Sequence, residues 1–173
     1  MIDTSKKFLV AGAGKSGIGS VNLLLKTGAD VSLYDGNEEL DKEALFEKLY
    51  EKKEISLVLG NITKEDIEKY DLLVLSPGIS VNAPIAQMFY DQEKPVWSEI
   101  ELAYQASKGK IAAITGTNGK TTTTALTGEI MKGYYESSFV VGNIGIPYTS
   151  VALDTQENLS LIHISEPTRL LSI

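Results

Sequence analysis

Short apolar runs recur along the first hundred residues at intervals too long for hairpins. Lys7-Phe-Leu-Val-Ala11, Asp30-Val-Ser-Leu-Tyr34, Ile55-Ser-Leu-Val-Leu59 and Asp71-Leu-Leu-Val-Leu75 are the clearest, with Lys94-Pro-Val-Trp97 a shorter one. The stretches between them carry apolar residues at helical spacing: Val21, Leu24 and Leu25 after the first run, and Leu45 and Leu49 among opposed charges between Asp41 and Lys52. Strands alternating with helices predict an α/β fold with a parallel sheet, and the unbroken apolar run at 71–75 fits a strand buried on both faces. The charged segment 41–52 reads as one solvated amphipathic helix. Thr63 and Asp66 predict a capped short helix, Ala83 to Tyr90 another, and Ser98-Glu-Ile-Glu101 a capping box opening a helix through Ala106. Trp97 reads as a packing residue.

Ser107-Lys-Gly-Lys110 is small, charged and suited to a hinge, after which the pattern restarts. Ile111-Ala-Ala-Ile-Thr115 predicts a strand, Thr121 to Lys132 a helix, and Phe139-Val-Val141 a further strand ending in Gly142-Asn-Ile-Gly145.

Two strand-to-helix junctions carry candidate chemistry. The first is Gly12-Ala-Gly-Lys-Ser-Gly17, a G-x-G-x-x-G turn, followed by Asp35 eighteen positions after Gly17. Such a βαβ unit places an acid near a ribose hydroxyl at a spacing of about twenty residues. Dinucleotide binding is one reading; Lys15 inside the turn favours another, a pocket with its own positive charge for a diphosphate; tight strand-helix packing alone is a third. Ser76-Pro-Gly-Ile79 ends the fourth strand and faces the same crevice in such a sheet, with Gly78 permitting close backbone approach, although a plain loop also explains it.

The second junction is Gly116-Thr-Asn-Gly-Lys-Thr-Thr122. Gly116, Thr117, Asn118 and Gly119 would wrap a phosphate with backbone N–H groups, Lys120 would reach the terminal phosphates, and the hydroxyls of Thr121 and Thr122 open the helix, Thr121 suited to Mg²⁺. The spacing departs from the common P-loop, which asks for glycine where Ile114 stands. A turn alone would explain neither the lysine nor the threonines.

Composition narrows the chemistry. Zero cysteines among 173 residues exclude disulfides, thiolate metal sites and cysteine nucleophiles, and the single histidine, His163, lies in an atypical segment. Mean hydropathy of -0.02 and the lack of any run near the roughly 18 apolar residues of a membrane span predict a soluble, cytoplasmic chain without membrane insertion or signal peptide. Sixteen basic against 23 acidic residues, a net charge of -7, argue against nucleic acid as a partner.

Taken together, Gly12–Gly17, Asp35, Ser76–Ile79, Ser98–Ala103, Gly116–Thr122 and Gly142–Gly145 resemble the Mur ligases, within them those that add D-glutamate to UDP-N-acetylmuramoyl-L-alanine. The resemblance implies a Rossmann-like UDP-binding domain over 1–93, a connecting strand, helix and hinge over 94–109, and over 110–158 the beginning of a P-loop α/β ATP-binding domain. It implies ATP and Mg²⁺ as co-substrate and metal, UDP-N-acetylmuramoyl-L-alanine and D-glutamate as substrates, and a monomer. Around UDP it puts Gly14, Lys15, Ser16, Asp35, Ser76, Gly78 and Asn143; at ATP, residues 116–122, with Lys120 catalytic and Thr121 on the metal. A Mur ligase with another amino acid, an NAD-dependent oxidoreductase and a nucleotide-binding regulatory protein remain alternatives. Residues 159–173 break the family pattern and resemble a translated sequencing adapter, so a non-native tail on an inactive truncated chain is expected there; a strand completing the second sheet is the other reading.

Overall fold

The computed structural model describes residues 2–115, 117–135, 137–142, 146–157 and 161–163, the last three as backbone alone. It divides into two units, Met1–Gln105 and Ala106–Ile173.

In the first unit the expected alternation is present. The elements run β1 (Lys7–Ala11), α1 (Lys15–Thr27), β2 (Asp30–Asp35), α2 (Lys42–Phe46), β3 (Ser56–Leu59), α3 (Lys64–Ile67), β4 (Leu72–Leu75), α4 (Pro84–Asp91), β5 (Val96–Ser98) and α5 (Glu99–Ala106). All strand pairs are parallel, in the order β3-β2-β1-β4-β5. The chain builds outward from β1 to β3, then returns to β4 on the other side. This reversal leaves a crevice at the carboxyl ends of β1 and β4, where ligands of open α/β sheets bind.

The core explains the sequence pattern. Leu9 and Ala11 of β1 and Leu73 and Leu75 of β4 share one face, which packs on Ile67, Tyr70, Ile85, Ala86 and Phe89. Phe8 and Val10 alternate to the opposite face and are equally buried. Helix α1 buries Val21, Leu24 and Leu25 and stops at Gly28, whose φ of 81° turns the chain while its N–H and that of Ala29 donate to Leu25 O and Leu24 O at 3.0 and 3.1 Å.

The single helix expected over 41–52 is instead two pieces: α2 ends at Phe46, and Tyr50–Lys52 forms one 3-10 turn with Glu51 at φ 55°. Asn22 supplies the reason. Its side-chain amide donates to Lys48 O at 3.1 Å and its carbonyl accepts from Tyr50 N–H at 2.6 Å, taking backbone groups that a continuing helix would use.

The second unit holds β6 (Lys110–Ile111), α6 (Lys120–Lys132), β7 (Phe139–Val140), α7 (Tyr148–Val151) and β8 (Leu161–His163), with a parallel sheet ordered β6-β8-β7. The strand expected at 111–115 is displaced and shortened: β6 covers only Lys110 and Ile111, which pair with Leu161 and Ile162 of β8. Ser107 and Lys108, the first half of the expected hinge, are tied within this unit. The Ser107 hydroxyl lies 2.7 Å from the hydroxyl of buried Tyr148, and Lys108 N–H donates to Thr155 Oγ1 at 2.9 Å. The Gly142–Gly145 turn falls largely outside the described residues. No helix among those described is long and apolar enough to cross a membrane.

Helix α3 carries the expected Thr63 cap, here completed as a capping box: Asp66 N–H donates to Thr63 Oγ1 at 3.3 Å, and Thr63 N–H and hydroxyl donate back to Asp66 Oδ2 at 2.9 and 2.8 Å. These bonds, the backbone one foremost, hold the Asp66 carboxyl below the ordinary aspartate value. Because the folded value is depressed, the stabilisation is complete above the unfolded value of about 3.9 and is lost as the pH falls through the lower folded one. Thr63→Ala is therefore expected to lower the urea midpoint at pH 7 and to reduce the further loss seen on acidification below about pH 4. Phe89→Ala, which empties a fully buried position, should cost about 3–5 kcal/mol in the same titration.

Candidate functional site

The carboxyl ends of β1, β2 and β4 enclose a cleft of about 480 Å³. Its floor and walls are Gly12–Ser16, Asp35–Gly36 and Ser76–Ile79, so Gly14, Lys15, Ser16, Asp35, Ser76 and Gly78 are brought together. Asn143 lies outside the described residues.

The turn between β1 and α1 is held tightly. Gly12 takes φ 97° and its N–H donates to Tyr34 O at 2.7 Å. The following N–H, on Ala13, donates to Asp35 Oδ2 at 2.8 Å, while Asn37 N–H donates to Asp35 Oδ1 at 2.9 Å. From the other side the Ser76 hydroxyl donates to Gly12 O at 3.3 Å. Ser76 is buried at the end of β4, and Asp35 is half-buried at the end of β2. Gly17 completes the contact: a Cβ there would fall 1.7 Å from Gly12 O. Two of the three motif glycines thus serve backbone geometry, whereas nothing lies within 4 Å of a Cβ placed on Gly14.

Helix α1 then begins without a side-chain cap and without an acid in its first turn, its N-cap being Gly14. Its first intrahelical bond is Ile18 N–H to Gly14 O at 3.0 Å, so the amides of Lys15, Ser16 and Gly17 precede the ladder. With the exposed Lys15 beside them, these donors and the positive end of the helix dipole make an environment for an anion. The sequence reading placed Asp35 at a ribose hydroxyl; its two backbone bonds, which bind the β1 and β2 turns together, had no signal in the spacing.

In the second unit, Thr117, Asn118 and Gly119 are exposed, Gly119 caps α6 at φ 77°, and Lys120 is the first helical residue. Lys120 Nζ reaches back over the loop to Thr117 O at 3.5 Å. The hydroxyls sort by direction: Thr121 and Thr122 are exposed on the first turn, whereas buried Thr124 donates to Lys120 O at 2.5 Å. No acid lies in that turn, so the loop suits a polyphosphate and Thr121 could offer a hydroxyl to its cation. Gly116 lies outside the described residues, among which no group of three or more His, Asp or Glu side chains is gathered to hold a metal.

A family model for the Mur ligase MurD-like N-terminal domain matches residues 6–98, more than half the chain. The chain belongs to the MurD-like Mur ligases. Among curated relatives, the UDP-N-acetylmuramoylalanine--D-glutamate ligase of Lachnospira eligens is 53% identical over 154 residues, covering 89% of this chain and 34% of that protein. The ligase of the same name from Aquifex aeolicus is 40% identical over 159 residues, covering 92% and 34%. This MurD-like chain thus spans about a third of the length of the curated relatives it matches. In fold it is similar to a pseudomurein peptide ligase type C from Methanothermus fervidus, with a TM-score of 0.51 and 23% identity over 93% of this chain and 33% of that one.

The two motif glycines differ in what they tolerate. Gly17→Ala should destabilise by about 1–3 kcal/mol or more, since backbone must move to clear Gly12 O, whereas Gly14→Ala should stay within about 0.5 kcal/mol; urea denaturation of the two variants measures the difference.

Proposed function

We propose that this chain supplies the nucleotide-sugar site and the ATP loop of a cytoplasmic ligase that joins D-glutamate to UDP-N-acetylmuramoyl-L-alanine. Residues 1–93 are the UDP-binding domain, 94–109 the connection, and 110–158 the first part of the ATP-binding domain. The observation that carries the reading is the β1–α1 turn: an uncapped, acid-free helix start with Lys15 beside it, at the switch point of the sheet, in a chain 53% identical to a relative bearing that activity's name.

In this reading the UDP diphosphate meets Lys15 and the amides of the first turn of α1. Gly14 leaves room for it, and Ser16, Asp35, Ser76 and Gly78 wall the nucleotide. At the other loop, residues 116–122 cradle ATP, Lys120 neutralises charge on the phosphoryl group in transit, and the Thr121 hydroxyl serves Mg²⁺. Bound Mg²⁺ would supply charge neutralisation across the phosphate oxygens.

The chemistry is amide synthesis through an activated acid. The alanyl carboxylate attacks the γ-phosphorus of ATP, the bond to the bridging oxygen breaks, and ADP leaves with an acyl phosphate formed. The amine of D-glutamate then attacks the acyl carbon, loses a proton and expels inorganic phosphate. No enzyme nucleophile is required, which accords with a chain free of cysteine. Lys120 and the loop amides act by position and charge.

Calorimetric titration of the purified chain tests the first half of this. UDP-N-acetylmuramoyl-L-alanine should bind, NAD should not, and Lys15→Ala should weaken the former by about ten- to a hundredfold. Binding of NAD in preference to the UDP-sugar would replace this proposal with the oxidoreductase reading.

A further inference from the structure

A single peptide plane in the cleft, the one joining Gly12 to Ala13, is gripped at both of its polar atoms by side chains from two different strands. Its carbonyl oxygen accepts from Ser76 at the end of β4, and its N–H donates to Asp35 at the end of β2. The carboxylate is itself steadied by Asn37 N–H on its other oxygen. We propose that Asp35 and Ser76 are positioning residues that lock this plane, keeping the Gly12 carbonyl turned onto Gly17 so that a bound diphosphate meets N–H groups and no carbonyl oxygen.

Hydrogen inventory leads to this role. A serine hydroxyl has one hydrogen, and that of Ser76 goes to Gly12 O. An ionised carboxylate has none. Neither group, arranged this way, can donate to a phosphate, although both border the cleft. What they control is the orientation of the backbone between them.

The lock has something to resist. Gly12, at φ 97°, sits where the backbone has freedom that other residues lack. Rotation of the 12–13 plane would exchange its carbonyl and N–H, breaking both side-chain bonds at once and swinging a carbonyl dipole off Gly17. A carbonyl turned toward a diphosphate would oppose the field that Lys15 and the helix start provide. Because both grips hold one rigid plane, removing either weakens the hold on the same motion, which the remaining bond still resists.

This inference rests on the cleft being the site of the UDP moiety, and its test separates the two. UDP is titrated into the 173-residue chain and into Asp35→Ala, Asp35→Asn, Ser76→Ala and the double variant Asp35→Ala/Ser76→Ala, and amide hydrogen exchange at Ala13 is measured without ligand. Each alanine variant should lose about tenfold in affinity, with Asp35→Asn between wild type and Asp35→Ala. The double variant should lose more than either single, because the bond left in each single variant still resists the rotation. Ala13 exchange should quicken in Ser76→Ala although its own acceptor, Asp35, is intact. Ala13 exchange unchanged in Ser76→Ala would overturn the lock and make the two residues independent ligand contacts, and a double variant no weaker than the worse single would overturn it too. Should Asp35→Ala fail to fold, Ser76→Ala alone decides the exchange question. Failure of the wild type to bind UDP would instead sink the proposed function, and the lock would then stand or fall on Ala13 exchange.

Discussion

Everything at the cleft depends on how closely α1 approaches the end of β1. Gly17 lies so near Gly12 O that no methyl group fits between them. That contact fixes where the helix starts and aims its first amides into the crevice opened by the reversal of strand order at β1. The apolar core sets the direction of the strands; the glycine contact sets the last few ångströms. A helix held one methyl group further away would still bury Val21, Leu24 and Leu25, but its N-terminus would no longer close the turn that Asp35 and Ser76 bracket.

Much of the first unit was legible because its signals are local or periodic. The unbroken apolar run at 72–75 is the strand buried on both faces, Thr63 and Asp66 form the reciprocal cap, and Ser98 accepts from Glu101 N–H at 3.1 Å at the start of α5. Where the structure departs from the pattern, partners distant in sequence are involved. Asn22 ends the helix expected over 41–52 from twenty-six positions away, by taking Lys48 O. The run at 111–115 reads as a strand by composition, yet Ile111 is the one residue of it in the ladder, paired with Ile162 of β8. Asp35 stands out by its spacing from Gly17, while its bond to Ala13 N–H is a matter of side-chain direction, on which spacing is silent.

The helix starts themselves divide along a line that the sequence already contained. Helices α2 and α3 open on Asp41 and Thr63, whose side chains accept from Ala44 and Asp66 amides, and both carry acids in the first turn. These helices satisfy their own orphan N–H groups and their own dipoles. Helices α1 and α6 open on Gly14 and Gly119, make no side-chain cap bond and have no acid in the first turn, and each places a lysine, Lys15 or Lys120, in its first position. Helix α4 also lacks a cap bond and an acid, but it begins with Pro84, which has no N–H to satisfy and offers none to a ligand.

An uncapped start costs about 1 kcal/mol relative to a good cap; the starts of α1, α4, α6 and α7 all lack a cap bond, but only α1 and α6 put a lysine first. An anion at either lysine-led start would accept from the amides that a side chain otherwise satisfies and meet the lysine charge placed beside them. The two loops differ in how their donors are kept in place. At α1 the preceding peptide is held from both flanking strands by Asp35 and Ser76, giving a cleft preset for its ligand. At α6 the loop is exposed, and Lys120 itself reaches back across it to Thr117 O, a bond weak enough at 3.5 Å to be exchanged for a phosphate oxygen. Under the proposed function, the first loop would hold its nucleotide in a fixed pose while the second exchanged its own.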